Sequence, residues 1–172
     1  MKTRQMCRIA LMTALLCAVG PITIPAGPVP LSLATLVVYL SGAVLGARYG
    51  ALAVAMYIGI GAAGVPVFAG FSGGLQQLAG VTGGFLVGYM PCAAIVGWTA
   101  ARARKQWMVV VSMLLGTAVC YGLGMMWFMA QTGANAASAF FGCVVPFLPG
   151  ATVKIIAAMA VVNSMKKGWT SR

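Results

Sequence analysis

The stretch WMVVVSMLLGTAVCYGLGMMWFMA, residues 107 to 130, carries no charged residue from end to end. A run of that length matches the roughly 20 apolar residues that carry an α-helix across the hydrocarbon core of a bilayer. The whole 172-residue chain has the same character, with 62% hydrophobic residues, 6% charged residues and a mean hydropathy of +1.00. Such values lie far from those of a soluble domain and indicate an integral membrane protein. Working outward, further spans are expected at about 6–22, 31–47, 50–64, 83–101 and 150–165, which makes an all-α bundle of six transmembrane helices. Glycine and proline mark the joints, in GPITIPAGPVP after the first helix, GVPVFAGFSGGLQQLAGVTGG after the third and PFLPG before the sixth. The basic start followed by an apolar run lacks a clean small-residue cleavage signal, so the first helix is expected to be retained.

The chain has eleven Lys and Arg, no Asp, no Glu and no His. Ten of the cations fall at one end of the expected bundle: Lys2, Arg4 and Arg8 before the first helix, Arg48 between the second and third, Arg102, Arg104 and Lys105 between the fourth and fifth, and Lys166, Lys167 and Arg172 after the sixth. The connections at about 23–30, 65–82 and 131–149 hold none. Lys and Arg near helix ends stay on the cytoplasmic side, so both termini are expected to be cytoplasmic. The net charge of +11 is dispersed among apolar runs and forms no stripe suited to nucleic acid. The five cysteines show no CxxC spacing and read as small packing residues. Without acidic residues or histidine, neither a metal site nor paired carboxylates nor a nucleophile–base pair can be assembled, so no enzyme is expected.

The eleventh cation, Lys154, lies inside the sixth span. An ammonium there costs at least a few kcal/mol, which marks an intramembrane lysine as a functional residue. It follows Pro149 and Gly150 by about a turn, near the positive end of the helix dipole, where a cation gains nothing. No side-chain carboxylate in the chain can neutralise it. Three outside suppliers fit: a lipid phosphate reached by snorkelling, a carboxylate on a partner subunit, or an anionic ligand. The glycine-rich segment 64–85 favours the ligand. It is too apolar for a solvated loop and is expected to fold over the outer mouth. Phe68, Phe71 and Phe85 would be apolar walls, and Ser72, Gln76, Gln77 and Thr82 neutral hydrogen-bonding groups for a polar, uncharged head.

Three ordered blocks give the chain a resemblance: IPAGPVPLSLATL at 24–36, GAAGVPVFAGFSGG with GVTGGFLVGY at 61–89, and PFLPGATVK at 146–154. Over nearly its whole length the sequence resembles the BioY family, the biotin-specific S components of energy-coupling factor transporters. The resemblance implies one integral membrane domain, residues 1–172, which binds biotin from the outer side beneath a capping loop. It places Lys154 at the family's signature lysine, Thr82, Gly83 and Gly84 in its glycine-rich motif, and Phe68, Ser72, Gly73 and Gly74 in the capping loop. Biotin enters as transported ligand, with no cofactor. The family signature has aspartate where this chain has Ala151, glutamine at Ala34 and tyrosine at Phe85. Loss of that aspartate would remove an acceptor worth about 1–3 kcal/mol.

No GxxxxGK[ST] loop and no intramembrane carboxylate or histidine is present to drive uphill transport. By resemblance, the drive comes from two ATP-binding-cassette subunits and a transmembrane T component. That component would dock on Ala10 and Ala14, a pair of small residues at helical spacing in RIALMTALL. Other readings of the composition are a passive facilitator for small neutral solutes, which needs a polar stripe through several helices, and a purely structural membrane subunit. An S component for a relative or precursor of biotin is a further reading of the resemblance.

Overall fold

The computed structural model describes residues 3–24, 31–103, 105–145 and 147–170. Apart from loops and one isolated bridge between Phe68 and Ser72, the described chain is helical with a single pair of two-residue strands. In order, its elements are α1 (Thr3–Val19), β1 (Thr23–Ile24), β2 (Leu31–Ser32), α2 (Ala34–Ala62), α3 (Leu75–Ala79), α4 (Gly83–Arg102), α5 (Gln106–Thr132), α6 (Ala136–Cys143) and α7 (Phe147–Thr170). By length and composition α2, α4 and α5 are able to cross a membrane, and Gly150–Val162 forms a shorter apolar stretch. Their outer faces carry large apolar side chains such as Leu115, Met126 and Ile156, as expected of helices whose surroundings are as apolar as their core.

Element α2 is two limbs and not one rod. Gly46 has φ 81° and ψ 174°, a conformation almost confined to glycine. A Cβ built on Gly50 would stand 2.8 Å from the Ser41 carbonyl oxygen and 2.9 Å from the Gly42 Cα. In a straight helix, positions 41 and 50 would be about 13 Å apart. The limbs before and after Gly46 therefore double back and pack through small residues, which allow close approach in lipid. These limbs correspond to the expected second and third helices, with the joint contracted to a single residue.

Around this hairpin the core closes through α4 and α5, with Tyr39, Val96, Met113 and Cys120 almost fully buried. Polar groups in this apolar setting are matched internally. The Tyr39 hydroxyl donates to Thr117 Oγ1 at 2.5 Å, which donates to the Met113 carbonyl at 2.6 Å. Tyr57 donates to the Val67 carbonyl at 3.1 Å and Thr13 to that of Ala53 at 3.1 Å. Among the described residues no buried side-chain nitrogen or oxygen lacks a partner, as hydrocarbon surroundings require.

Three boundaries differ from expectation. Element α1 occupies 3–19 and not 6–22, because Gly20 and Pro21 end it. The two expected loops at 65–82 and 131–149 contain the short helices α3 and α6. Element α7 starts at Phe147, before the Pro-Gly pair and not after it. Proline is tolerated in a first turn, where its missing N–H would have no helical acceptor. Lys154 thus lies about two turns into α7 and clear of the first-turn dipole that the sequence suggested.

Candidate functional site

The site begins with Ser32. The strand pairing Thr23↔Ser32 brings this residue beside the end of α1. Its hydroxyl donates to the Gly20 carbonyl at 2.9 Å and accepts from the Ala34 N–H at 3.0 Å. Local bonding thus occupies the side chain and leaves one lone pair of the Ser32 carbonyl, beside the Thr35 hydroxyl at 3.4 Å, to accept from elsewhere. Lys154 Nζ donates to it at 2.6 Å and to Thr35 Oγ1 at 3.0 Å. At 5% exposure, Lys154 is buried and turned inward, with its stem not extended toward lipid. An ammonium carries three donors, and among the described residues two acceptors are in place, both neutral.

A chamber of about 30 Å³ borders this ammonium, walled by Ser32, Thr35, Phe85, Tyr89, Cys120, Tyr121 and Phe147. Ser32, Phe85 and Tyr89 are also walls of a larger neighbouring cavity of about 190 Å³, completed by Phe68, Ala69, Ser72, Gln77, Thr82 and Leu86. The aromatic side is packed as a unit, with the Tyr121 ring 5.9 Å from Phe147 and 6.4 Å from Phe85. The arrangement offers one cation at the inner end and neutral donors and acceptors among aromatic walls toward the 65–82 loop.

That loop is held from several directions. Phe68 N–H donates to the Ser72 carbonyl at 2.9 Å, Gly70 N–H to that of Pro21 at 3.1 Å, and Gly74 N–H to that of Gly61 at 2.7 Å. Phe68 is 1% exposed and stacks edge-on against Tyr57, with its ring against Gly61, where any Cβ would collide. Ser72 Oγ donates to the Ala69 carbonyl at 2.8 Å. Phe71 does not form a wall as expected. Its backbone turns to φ 57° and its ring is 72% exposed. Gln76 is likewise exposed, whereas Gln77 faces the cavity.

The expected binding residues therefore divide. Lys154, Phe68, Ser72 and Thr82 line the two chambers. Gly73, Gly74, Gly83 and Gly84 are not among the lining residues; they let backbone segments approach. A Cβ on Gly73 would strike the Val65 carbonyl, one on Gly83 the Leu78 carbonyl, and one on Gly84 the Trp127 Cβ. Gly74 has φ 95° at the entry to α3. Ala151 is buried but lines a different, apolar groove of about 350 Å³ among α5, α6 and α7, with Leu114, Ala118, Phe140 and Leu148. Ala10 and Ala14 are exposed on α1, away from the chambers.

Ser32, Tyr89, Cys120, Tyr121 and Phe147 are walls that sequence reasoning missed. Tyr89 had a signal: Thr82, Phe85, Leu86 and Tyr89 are spaced i, i+3, i+4, i+7, one face of a helix. Ser32 had none, since it contributes a main-chain carbonyl.

Comparison with known proteins agrees with this architecture. The model of the BioY family matches residues 1–171. The biotin transporter BioY of Thermotoga maritima is 38% identical over 166 residues, covering 95% of this chain and 96% of that protein. The probable biotin transporter BioY of Pyrococcus horikoshii is 35% identical over 166 residues, covering 96% and 98%. A crystal structure of the S-component for biotin from an ECF-type ABC transporter superposes with a TM-score of 0.89 at 24% identity, covering 96% of this chain and 92% of that one, and shows the same fold. With a match over nearly every residue and two relatives above 30% identity along their lengths, the chain belongs to the BioY family.

Proposed function

We propose that this chain is a multi-pass protein of the cell membrane that binds biotin and mediates its uptake as the S component of an energy-coupling factor transporter. The observation that carries the reading is the buried ammonium of Lys154, beside a cavity with aromatic and neutral polar walls, in a chain without a single acidic side chain. Biotin matches such a site: an apolar bicycle, a polar ureido head and a carboxylate that provides the missing negative charge. The ammonium serves as donor either to the carboxylate or to the ureido oxygen. Phe68, Ser72 and Thr82 shape the outer part of the pocket, and Gly73, Gly74, Gly83 and Gly84 let the surrounding backbone close around it.

In this reading residues 1–172 form one domain with six spans: α1, the two limbs of α2, α4, α5 and α7. The glycine-rich segment caps the outer mouth. Both termini and ten of the eleven cations are cytoplasmic, following the retention of Lys and Arg on that side. The exposed Ala10 and Ala14 on α1 dock the T component, which joins the S component to two ATP-binding-cassette subunits. The chain carries no catalytic role of its own.

Calorimetric titration of the detergent-purified protein with biotin tests the reading. Saturable one-to-one binding with a dissociation constant below about 1 μM, equivalent to about −8 kcal/mol, is expected. Absence of saturable heat at concentrations well above that value overturns it.

A further inference from the structure

The basic end of the molecule has a construction that positive-inside retention alone does not require. Two packing contacts and one turn gather five of its cations. Ile9 and Met12 of α1 form a cluster with Ala53, against which Leu45 and Tyr49 beside the Gly46 joint pack, and this brings the start of α1, with Arg4 and Arg8, toward the level of Arg48. A Cβ on Gly97 would collide with Ala47, which brings the end of α4, with Arg102, to the same level. Lys105 follows in the turn into α5. Arg4, Arg8, Arg48, Arg102 and Lys105 are all exposed. Lys154 and Ser32 lie about 20 Å away by helix rise along the first limb of α2.

At the turn between α4 and α5 the cations are set among exposed indoles. Trp98 is 56% exposed and Trp107 61% exposed, one on each side of the turn. The Arg102 guanidinium stands 4.3 Å above the Trp98 ring, and its Nη1 donates to the Trp98 carbonyl at 3.4 Å. Stacking holds the planar fork in place and leaves its outer edge for an acceptor. Indoles flanking the ends of membrane helices occupy the headgroup level, where apolar and polar surroundings meet. No Asp or Glu exists in the chain to meet these cations, and the oxyanion at that level in a membrane is the lipid phosphodiester, which a guanidinium fork recognises in bidentate fashion.

We infer that the facing ends of α4 and α5, through Arg102 stacked on Trp98 and through Lys105 two residues before Trp107, form a binding site for the headgroup of an anionic phospholipid. The inference rests on α4 and α5 crossing the bilayer and is independent of the identity of the transported ligand. An acidic protein surface is the competing occupant, and the exposed indoles favour lipid over it.

The test uses the full chain in nanodiscs of phosphatidylcholine alone or mixed in equal parts with phosphatidylglycerol, with native mass spectrometry of retained lipid after release into detergent. The wild type is expected to retain phosphatidylglycerol over phosphatidylcholine by roughly tenfold, and Arg102→Ala with Lys105→Ala to lose that preference while binding the transported ligand normally. Arg102→Lys keeps the charge but not the fork and is expected to fall between them. Equal retention of the two lipids by the wild type, or full preference in the double variant, overturns the site. So does inorganic phosphate displacing the lipid at millimolar concentration, which would make the ligand a soluble anion. A double variant that keeps its lipid but no longer copurifies with an acidic protein assigns the turn to that partner and also overturns the proposal.

Discussion

Lys154 and Ser32, 122 residues apart in sequence, meet through a 2.6 Å bond from ammonium to main-chain carbonyl. The contact joins α7 to the short strand that precedes α2, and among the described residues the buried cation has neutral partners only. Neutral acceptors solvate an ammonium without cancelling its charge, so an incoming anion gains from it. Lys154→Met is expected to weaken biotin binding by at least about tenfold, or 1.4 kcal/mol. Removing an unpaired buried ammonium relieves its desolvation cost, and the Ser32 carbonyl keeps the Thr35 hydroxyl as a donor at 3.4 Å. The thermal midpoint of the empty variant is therefore expected at or above that of the wild type. Titration calorimetry and a melting curve check the pair of effects together, and unchanged affinity would remove Lys154 from the site.

The two phenylalanines of the 65–82 loop should behave oppositely. Phe68 is sealed between Tyr57 and Gly61, so truncation opens a cavity costing about 3–5 kcal/mol along with a wall of the pocket. Phe71 points outward. Phe68→Ala is expected to lower both the melting midpoint and biotin affinity, and Phe71→Ala to leave affinity within about twofold, since surface changes usually stay within 0.5 kcal/mol. Equal losses in the two variants would mean that the loop closes on its ligand with Phe71 turned in.

The contrast between these rings shows what was legible in the chain. Apolar run length reveals the spans because hydrocarbon admits little else, and Lys154 stands out because a charge at that depth is costly. Which ring of the capping loop turns inward depends on the left-handed backbone at Phe71, and side-chain type does not encode that sign. The entry to α7 differs from the expectation because Pro149 suits a first turn as well as it ends a helix. Ser32 was invisible because its contribution is a carbonyl that every residue owns. Ala151 adds a fourth case. It lies one turn from Lys154 on the same helix, yet it lines the groove on the other side of Tyr121, which is a wall of both spaces.

Docking through α1 makes a prediction separable from ligand binding. Ala10 and Ala14 are exposed beside Leu11, and none of the three lines either chamber or the groove beside Ala151. Bulky side chains there would block the close helix contact that small residues permit. Ala10→Trp with Ala14→Trp is expected to bind biotin like the wild type and to fail to copurify with the T component and its ATPases. Retained copurification would place the docking face elsewhere.

Gly46 sets the path of the chain on which the site depends, because the first limb of α2 carries Thr35 and the second leads to the capping loop. With nothing within 4 Å of a Cβ built there, the cost of a side chain at Gly46 is purely conformational. Held at φ 81° and ψ 174°, Gly46→Ala is expected to lose about 1–3 kcal/mol of stability. Gly59 provides the control. It too has open space around its Cβ position, but it lies in ordinary helix, where alanine is better than glycine by about 0.5–1 kcal/mol. Thermal unfolding of the two variants should therefore move in opposite directions, down for Gly46→Ala and up for Gly59→Ala. The Gly46 variant should also lose biotin affinity, since displacing one limb separates Thr35 from Lys154. A Gly46→Ala protein as stable as the wild type would mean that the limbs can reverse through a bend open to any residue, and the hairpin would no longer account for the glycine.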